Sequence, residues 1–448
     1  MAHGYLDCSL EGKCMEDLGN QFVNIFLMKS FFQEAKLNED GDIIGFKMHD
    51  LIHDLAKQVA ETVNYFNIQT LACLEAICNF EDVRLCVSFE KLKHLRFLDL
   101  LKSCMLESLH KSIGNLICLQ TIKVRLDEKV VLSTKVVSKL INLRHLDIRT
   151  WTFVDKTPVG NFSGWLSPLT HIIEITLTYC QGLQYLPPLE CLPFLKSLEL
   201  CDLDDLEYIY CEELILHEPF FASLKRLEIR DCVKLVGWKR KGDDFNNINT
   251  SHHLLLPQFP CLSFLKISEC PMLTHMPTCP NIKKLSLQVQ WTSKINIAAS
   301  QYSISCTPLS LQINQPIMDV KNVPRYWWQN LTSLENLEFV YFSSQHFQAT
   351  EIWFKDDINY LPSLQKITFH YCDDLKALPD WICNISSLQH IKIDYCNKLT
   401  LLPERMSRLT NLHTLEIFGD SLLVEEFQKK TSATWSKIAH IPNIIIRD

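Results

Sequence analysis

Two histidines and a carboxylate lie close together near the start of the chain, in the stretch FKMHDLIHDLA. His49 and His53 are four residues apart, which is the spacing of the two zinc ligands in an H-E-x-x-H helix. Asp50 occupies the place of the glutamate, but its side chain is one methylene too short to act as that general base. Because no third ligand follows in helical register, the stretch predicts no metal site.

The same histidine could instead contact an anion. His49 lies at the predicted start of a helix, where free N–H groups and the positive end of the helix dipole favour a negative charge. An imidazole at this position could therefore reach a diphosphate. Ordinary helix surface is the third interpretation, and it is the one we expect for His53 and Asp54.

The elements around this stretch are a helix, a hairpin and a second helix. Residues 15–30 carry apolar side chains at helical spacing, and residues 31–33 and 43–47 read as two strands joined by the turn NEDGD. After the hairpin, a second apolar helical face is formed by Met48, Ile52, Leu55, Ala56 and Val59. This order indicates the end of a winged-helix domain.

From about residue 90, apolar residues recur at positions i, i+3, i+6 and i+8, at intervals mostly of 23 to 30 residues. The last two positions of each set alternate along a short strand and should face a common core. The pattern resembles the leucine-rich repeat, in which each unit buries its apolar row only by stacking on its neighbours. The twelve sets begin at Leu92, Leu116, Leu140, Leu169, Leu192, Phe221, Phe259, Cys279, Leu331, Leu361, Ile385 and Leu409.

Cysteines follow the strand at a fixed distance in five of these repeats. Leucine-rich repeats use Asn or Cys there to serve backbone groups of the turn, so we expect structural thiols at Cys180, Cys232, Cys270, Cys372 and Cys396. Cys270, His275 and Cys279 have a spacing that could be mistaken for a zinc site, but both cysteines already occupy repeat positions. Two irregular segments, 237–258 and 288–330, are predicted to be an insertion and a region that contains one degenerate repeat at PLSLQI.

Composition limits the function classes. The net charge is −8, and the only short basic run is KRK at 239–241, so nothing predicts nucleic-acid binding. The N-terminus has no apolar signal segment and no stretch is long enough to span a membrane, which predicts a cytoplasmic protein. The 19 cysteines, an odd number, are then expected to be reduced.

The order of these features resembles the plant intracellular nucleotide-binding leucine-rich-repeat immune receptors of the coiled-coil class. Their Met-His-Asp motif corresponds to Met48, His49 and Asp50, and the end of the chain, WSKIAHIPNIIIRD, is also similar. The resemblance implies an α/β solenoid, a leucine-rich-repeat horseshoe, preceded by a partial winged helix. The implied domains are a winged-helix end (1–62), a linker with the repeat cap (63–83), the repeats (84–430) and a C-terminal cap or tail (431–448).

The resemblance also implies a nucleotide switch. In this family the motif histidine touches the β-phosphate of ADP, while the aspartate braces the fold and the methionine packs. The sequence contains neither a G-x-x-x-x-G-K-[ST] phosphate loop nor the acidic Mg²⁺ ligand that follows it. We therefore expect part of a receptor, which is not an enzyme and binds no ADP or ATP by itself.

The strand side chains that flank the inward leucines should form the concave binding surface. Toward the N-terminus a basic region is predicted, formed by Arg96, Lys123, Arg125, Arg144 and Arg149, with Asp99 and Asp147 between them. In the family such a region can clamp the nucleotide-binding module; a solvated face is the alternative. Toward the C-terminus, partner contacts are predicted at His370, Tyr371, Tyr395, His413 and Phe418.

The resemblance implies that the partner is a pathogen effector or a guarded host protein. Two other classes remain open. A substrate adaptor of a ubiquitin ligase would need an F-box in place of the predicted winged helix. An extracellular receptor domain would need a signal peptide and paired flanking cysteines.

Overall fold

The computed structural model describes an N-terminal helix, a β-hairpin and most of the repeats. The described residues are 15–29, 32–37, 43–48, 73–75, 93–101, 111–125, 134–149, 168–186, 189, 192–210, 221–239, 259–273, 277, 279–288, 308–314, 331–350, 361–419, 423 and 433–447. They belong to two compact units, the first made of residues 1–104, 110–124 and 139–143, and the second of 105–109, 125–138 and 144–448. No helix among the described residues is long and apolar enough to cross a membrane.

The first unit begins with the predicted helix and hairpin. The helix spans Met15–Met28, and strands β1 (Phe32–Leu37) and β2 (Ile43–Met48) pair antiparallel. The first strand is longer than the predicted segment 31–33. The prediction that Met48 lines the second helix is wrong, because the hairpin register continues through Met48, which lies opposite Phe32. The remainder of that predicted helix lies outside the described residues.

Parallel strands follow in the same unit. They are β3 (Cys73–Glu75), β4 (Phe97–Leu100) and β5 (Thr121–Arg125), and β4 pairs with both of the others. The last residue of β5, Arg125, is the exception, since it belongs to the second unit. A 3₁₀ turn, Lys111–Asn115, precedes β5. Strand β3 lies in the range that was predicted to be a linker and repeat cap, so the parallel ladder begins before the first sequence match.

The second unit is a run of parallel strands, most of them one from each repeat. In chain order they are β6 (His145–Arg149), β7 (Glu174–Thr178), β8 (Ser197–Cys201), β9 (Tyr208–Tyr210), β10 (Arg226–Arg230), β11 (Gly237–Lys239), β12 (Phe264–Ser268), β13 (Lys284–Gln288), β14 (Ser310–Asn314), β15 (Asn336–Val340), β16 (Lys366–His370), β17 (His390–Asp394), β18 (Thr414–Phe418) and β19 (Asn443–Arg447). Strands β9 and β11 form a separate parallel pair, and the others pair in chain order. Short helices are Thr134–Val137, Ser344–Thr350 and Ala433–Ile438, with 3₁₀ turns at Asp380–Asn384 and Glu404–Arg408.

The repeat pattern explains this architecture. Every described residue of the twelve predicted sets is buried, and the strand residues between them are at least partly exposed in most repeats. In the sets whose first two positions are both described, these positions close a tight turn, as when the N–H of Leu143 donates to the carbonyl oxygen of Leu140 at 2.9 Å. The leucine-rich-repeat solenoid is thus confirmed. The degenerate repeat is confirmed as well, since β14 buries Leu311 and Ile313.

Strands occur in the predicted insertion 237–258 and in the predicted C-terminal cap or tail 431–448. Gly237–Lys239, at the start of the predicted insertion 237–258, forms β11, and Trp238 is 3% exposed. Its ring lies edge-on to Phe259 at 5.6 Å, so burial of this one aromatic residue overrides the polar composition of its neighbours. In the C-terminal range 431–448, β19 pairs in parallel with β18 and continues the sheet beyond the last predicted repeat.

Candidate functional site

The residue that follows the strand has a left-handed backbone in eight of the repeats that the structure describes. The φ values lie between 49° and 58° at Tyr179, Asp202, Asp231, Glu269, Tyr341, Tyr371 and Tyr395, and φ is 87° at Gly419. In most of these repeats, the backbone N–H of this residue donates to the last strand residue of the next repeat, as from Tyr371 to Asp394 at 2.9 Å. These eight residues, called here the left-handed rung, turn the chain away from the sheet and fix the position from which each of their side chains leaves the backbone.

A buried cysteine comes directly after the rung residue in five repeats. The Cys372 thiol donates to the carbonyl oxygens of Phe339 and His370, at 3.8 and 3.6 Å, and Cys396 does the same with Phe369 and Asp394. A hydrogen bond to the neighbouring Cys396 thiol, together with burial, raises the pKa of Cys372 well above its usual range. These thiols hold the turn together, and the raised pKa makes Cys372 in particular a poor nucleophile.

The structure describes two of the three residues whose spacing could be mistaken for a zinc site. Cys270 donates to the carbonyl of Ser268 at 3.3 Å and Cys279 to that of Pro277 at 3.9 Å, as expected of structural thiols. His275 lies outside the described residues. Within the part of the chain that the structure describes, no group of three or more metal-ligating side chains occurs.

Three consecutive tyrosines of the left-handed rung form a ladder. Tyr341, Tyr371 and Tyr395, called here the tyrosine ladder, stack with ring centroids 5.5 and 5.4 Å apart and ring planes within 15°. They remain 51%, 37% and 47% exposed, and the middle ring is the least exposed because it has a neighbour on each face. At the end of the ladder, a Cβ on Gly419 would lie 2.8 Å from Cδ1 of Tyr395.

Charged and aromatic side chains border the ladder on its strand side. The His370 ring lies 4.1 Å from that of Tyr371, and its Nδ1 is 2.8 Å from Oδ2 of Asp394. The ammonium of Lys392 is 3.1 Å from the same oxygen and 5.0 Å above the ring of Phe418. The Asp394 carboxylate, on a residue only 7% exposed, therefore holds two side chains in place beside the rings.

The structure brings together four of the five predicted C-terminal site residues. His370, Tyr371, Tyr395 and Phe418 lie on or beside neighbouring strands at the same end of the sheet. His413 does not join them, since it precedes β18 whereas Phe418 ends it, a separation of about 16 Å along an extended strand. Sequence reasoning missed Tyr341 because a phenylalanine, not a cysteine, follows it. A tyrosine two residues after the last inward strand position was the available signal.

The predicted N-terminal basic region is divided between the two units. Arg96 and Lys123 lie in the first, where Lys123 is opposite Asp99 in the β4–β5 register. Arg125 and Arg149 lie in the second. The Arg149 guanidinium contacts the Asp147 carboxylate at 3.4 Å on the same strand, which reduces the free positive charge there.

The Met-His-Asp motif is described only at its first residue. Met48 ends strand β2, while His49, Asp50 and the other residues of the metal alternative lie outside the described residues. The assignment of a nucleotide sensor to these residues therefore stays a prediction.

A histidine caps the helix that follows Tyr341. The N–H of His346 donates to Oγ of Ser343 at 3.4 Å, and the N–H of Ser343 donates to Nδ1 of His346 at 3.1 Å. This is the reciprocal arrangement of a capping box, with histidine in place of glutamate or glutamine. Because Nδ1 accepts, the cap requires the neutral imidazole.

We expect this cap to weaken in acid. Burial lowers the pKa of His346 below its usual value of 6.5, so the folded state binds the proton less readily than the unfolded state. The cap's contribution is therefore full above pH 6.5 and declines as the pH falls from there through the lower folded pKa. Amide exchange of residues 344–350 at pH 7.5 and 5 should show about 0.5–1.5 kcal/mol less protection in acid. In His346→Gln, whose amide oxygen accepts at any pH, this loss should disappear; equal acid sensitivity in both proteins would contradict the assignment.

Known proteins that are similar to this chain include disease resistance proteins. Residues 1–56 match the family described as the winged-helix domain of disease resistance proteins. The chain is 34% identical over 132 residues to the putative disease resistance protein RGA1 of Solanum bulbocastanum, which covers 27% of the chain and 13% of that protein. It is 25% identical over 169 residues to the disease resistance protein At4g27190 of Arabidopsis thaliana, covering 36% and 15%. The chain thus matches a small part of these relatives.

Solved structures match this chain at low identity and with TM-scores below 0.5. One is an LRR protein of Leptospira interrogans, with 17% identity, a TM-score of 0.33, and coverage of 87% of this chain and 98% of that one. Another is the PEPR1–AtPEP1 complex, with 14% identity, a TM-score of 0.34 and coverage of 96% and 52%.

Proposed function

We propose a recognition function for this chain, on the premise that it belongs with the plant nucleotide-binding leucine-rich-repeat disease resistance proteins, as its winged-helix match, its relatives and its repeats support. In this proposal the repeats bind a protein partner, either a pathogen effector or a guarded host protein. Acting in the cytoplasm and without catalysis of its own, the chain also restrains the nucleotide switch of the complete protein.

The tyrosine ladder is the observation that carries this proposal. A left-handed backbone costs a non-glycine residue about 1 kcal/mol. At the equivalent position 419 the chain has a glycine, which does not carry this cost. Stacking of the rings offsets part of this cost, at about 0.5–1.5 kcal/mol for each pair. The rings nevertheless stay exposed on a rigid sheet, where tyrosine is a favoured interface anchor because it presents a large area with few rotatable bonds.

The recognition proposal can be tested in leaf tissue with the complete resistance protein that contains this chain. Tyr371→Gly and Tyr395→Gly should abolish the cell-death response to a pathogen isolate that the protein recognises, without lowering its abundance. Glycine suits the left-handed backbone, so these variants should fold. Tyr179→Gly is the matched control, because Tyr179 has the same backbone conformation but lies outside the ladder. Full response in both ladder variants would refute this site.

The restraint proposal rests on the nucleotide switch that the family resemblance implies. If Met48, His49 and Asp50 serve as the ADP sensor only in the complete protein, this chain purified alone should release no ADP or ATP on denaturation. A stoichiometric nucleotide would contradict the expectation that this chain binds none.

Charge reversal at Arg125 and Arg149 in the complete protein should cause cell death without a pathogen, and a silent double variant would count against a basic clamp.

A further inference from the structure

The repeat distance of the tyrosine ladder suggests what kind of structure would pack on it. Successive ring centroids are 5.5 and 5.4 Å apart. The pitch of an α-helix is about 5.4 Å, so a helix lying along the ladder would advance one turn for each repeat. Every ring would then meet an equivalent point of the helix.

Other extended partners do not keep this register. Side chains on one face of a β-strand recur about every 6.8 Å, and those of a polyproline helix about every 9.3 Å. Over the two intervals of the ladder, a strand would drift by about half of one ring spacing, and a polyproline helix by more. The ring spacing therefore favours an α-helix over a strand or a polyproline helix, whatever the sequence of the partner.

The surroundings of the ladder favour an amphipathic helix. The ring edges supply an apolar strip, and polar groups border it on both sides. Lys392 and Asp394 lie on the strand side, while on the turn side Lys398 contacts the Asp374 carboxylate at 2.8 Å. Apolar side chains of a helix could cover the rings while its flanking polar residues meet these rims.

The acidic residues of the left-handed rung would disfavour the binding of such a helix. Asp202, Asp231 and Glu269 occupy the positions equivalent to the tyrosines. Partial burial and the neighbouring Asp231 carboxylate raise the pKa of Asp202, so the carboxylates of these two residues already repel each other. Covering them with an apolar face would remove water from charged groups at a high cost. The helix is thus confined to the tyrosine half.

We propose that the partner of this surface presents an amphipathic α-helix of about three turns, packed along Tyr341, Tyr371 and Tyr395 with one apolar side chain per turn. This inference rests on the proposed recognition function and specifies the chemistry of the partner. Its apolar residues should recur at i, i+3 or i+4, and i+7, the spacing of one helix face.

The test is a parallel selection against the full chain. One yeast-displayed library carries a small three-helix scaffold with one exposed helix face randomised, and the other carries linear twelve-residue peptides that contain proline. We expect binders from the helical library with apolar residues at the stated spacing. Their affinity should fall at least tenfold with Tyr371→Gly and stay unchanged with Tyr179→Gly. Binders from the linear library alone, no binders from either, or helical binders indifferent to Tyr371→Gly would each overturn the proposal.

The leaf assay separates this inference from the recognition function on which it rests. If Tyr371→Gly abolishes the response but no helical binder depends on that residue, the helical partner is wrong and recognition by the ladder stands. If Tyr371→Gly and Tyr395→Gly both leave the response intact, the ladder is not the recognition site and the inference falls with it.

Discussion

Replacing Phe339 by alanine is expected to lower the free energy of unfolding of its repeats by about 3–5 kcal/mol. Phe339 is fully buried at the centre of an aromatic cluster, with ring centroids 4.9 Å from Phe342, 5.2 Å from Phe347 and 5.8 Å from Phe369. Several rings contribute from different backbone elements, so they can only partly close the cavity that the substitution leaves. Chemical denaturation followed by near-ultraviolet circular dichroism measures the loss.

The matched control for this change is Phe194→Ala. Phe194 is 56% exposed in the turn before β8, so its truncation removes little buried area and should alter stability by less than about 0.5 kcal/mol. Since a repeat contacts mainly its neighbours, the effect of Phe339→Ala should be concentrated in the amides of β15 and β16. Similar losses for the two phenylalanines would show that the aromatic cluster does not organise these repeats.

Leu98→Ala and Leu415→Ala should each cost about 2–5 kcal/mol in local stability. Both residues are fully buried, at the first inward strand position of the earliest and latest sequence-matched repeats with described strands. They lie in different compact units, so the two losses should appear in different sets of amides by hydrogen exchange. The outcome tests the repeat register at both ends.

Leu401→Ala provides the contrast for these leucines. Leu401 is 56% exposed although it lies in the repeat that precedes β18, and we expect a change below about 0.5 kcal/mol. If protection near Leu415 were unchanged in Leu415→Ala, the assigned register of inward leucines would be wrong. A large loss in Leu401→Ala would contradict the assigned burial in the same way.

The sequence anticipated the solenoid because each repeat is constrained locally. Inward residues such as Leu143, Leu146 and Ile148 must recur at fixed offsets if every unit is to stack on the next, so the spacing of apolar residues directly reports the strands. The same logic located β14 in a degenerate segment through Leu311 and Ile313. The structural cysteines followed from their fixed distance to the strand, and the helix and hairpin near the N-terminus from local periodicity and turn composition.

Predictions that depended on neighbours across the fold were less accurate. Met48 was assigned to a helix by its apolar character, but its pairing with Phe32 keeps it in a strand. Trp238 lay in a polar window, yet contact with Phe259 buries it. Arg96 and Arg149 belong to different compact units, and the basic region stays a prediction.

The sequence by itself thus determined the repeat fold, the positions of its buried residues and the resemblance to resistance proteins, because each depends on spacings within about ten residues. Only the tertiary structure showed that Tyr341, Tyr371 and Tyr395 stack as one exposed ladder and that His413 stands apart from it. The physical reason is that the contacts between neighbouring residues of the left-handed rung join positions that are 24 to 30 residues apart in the chain. Parallel pairing and the left-handed turn set these contacts, and neither can be read from any one repeat.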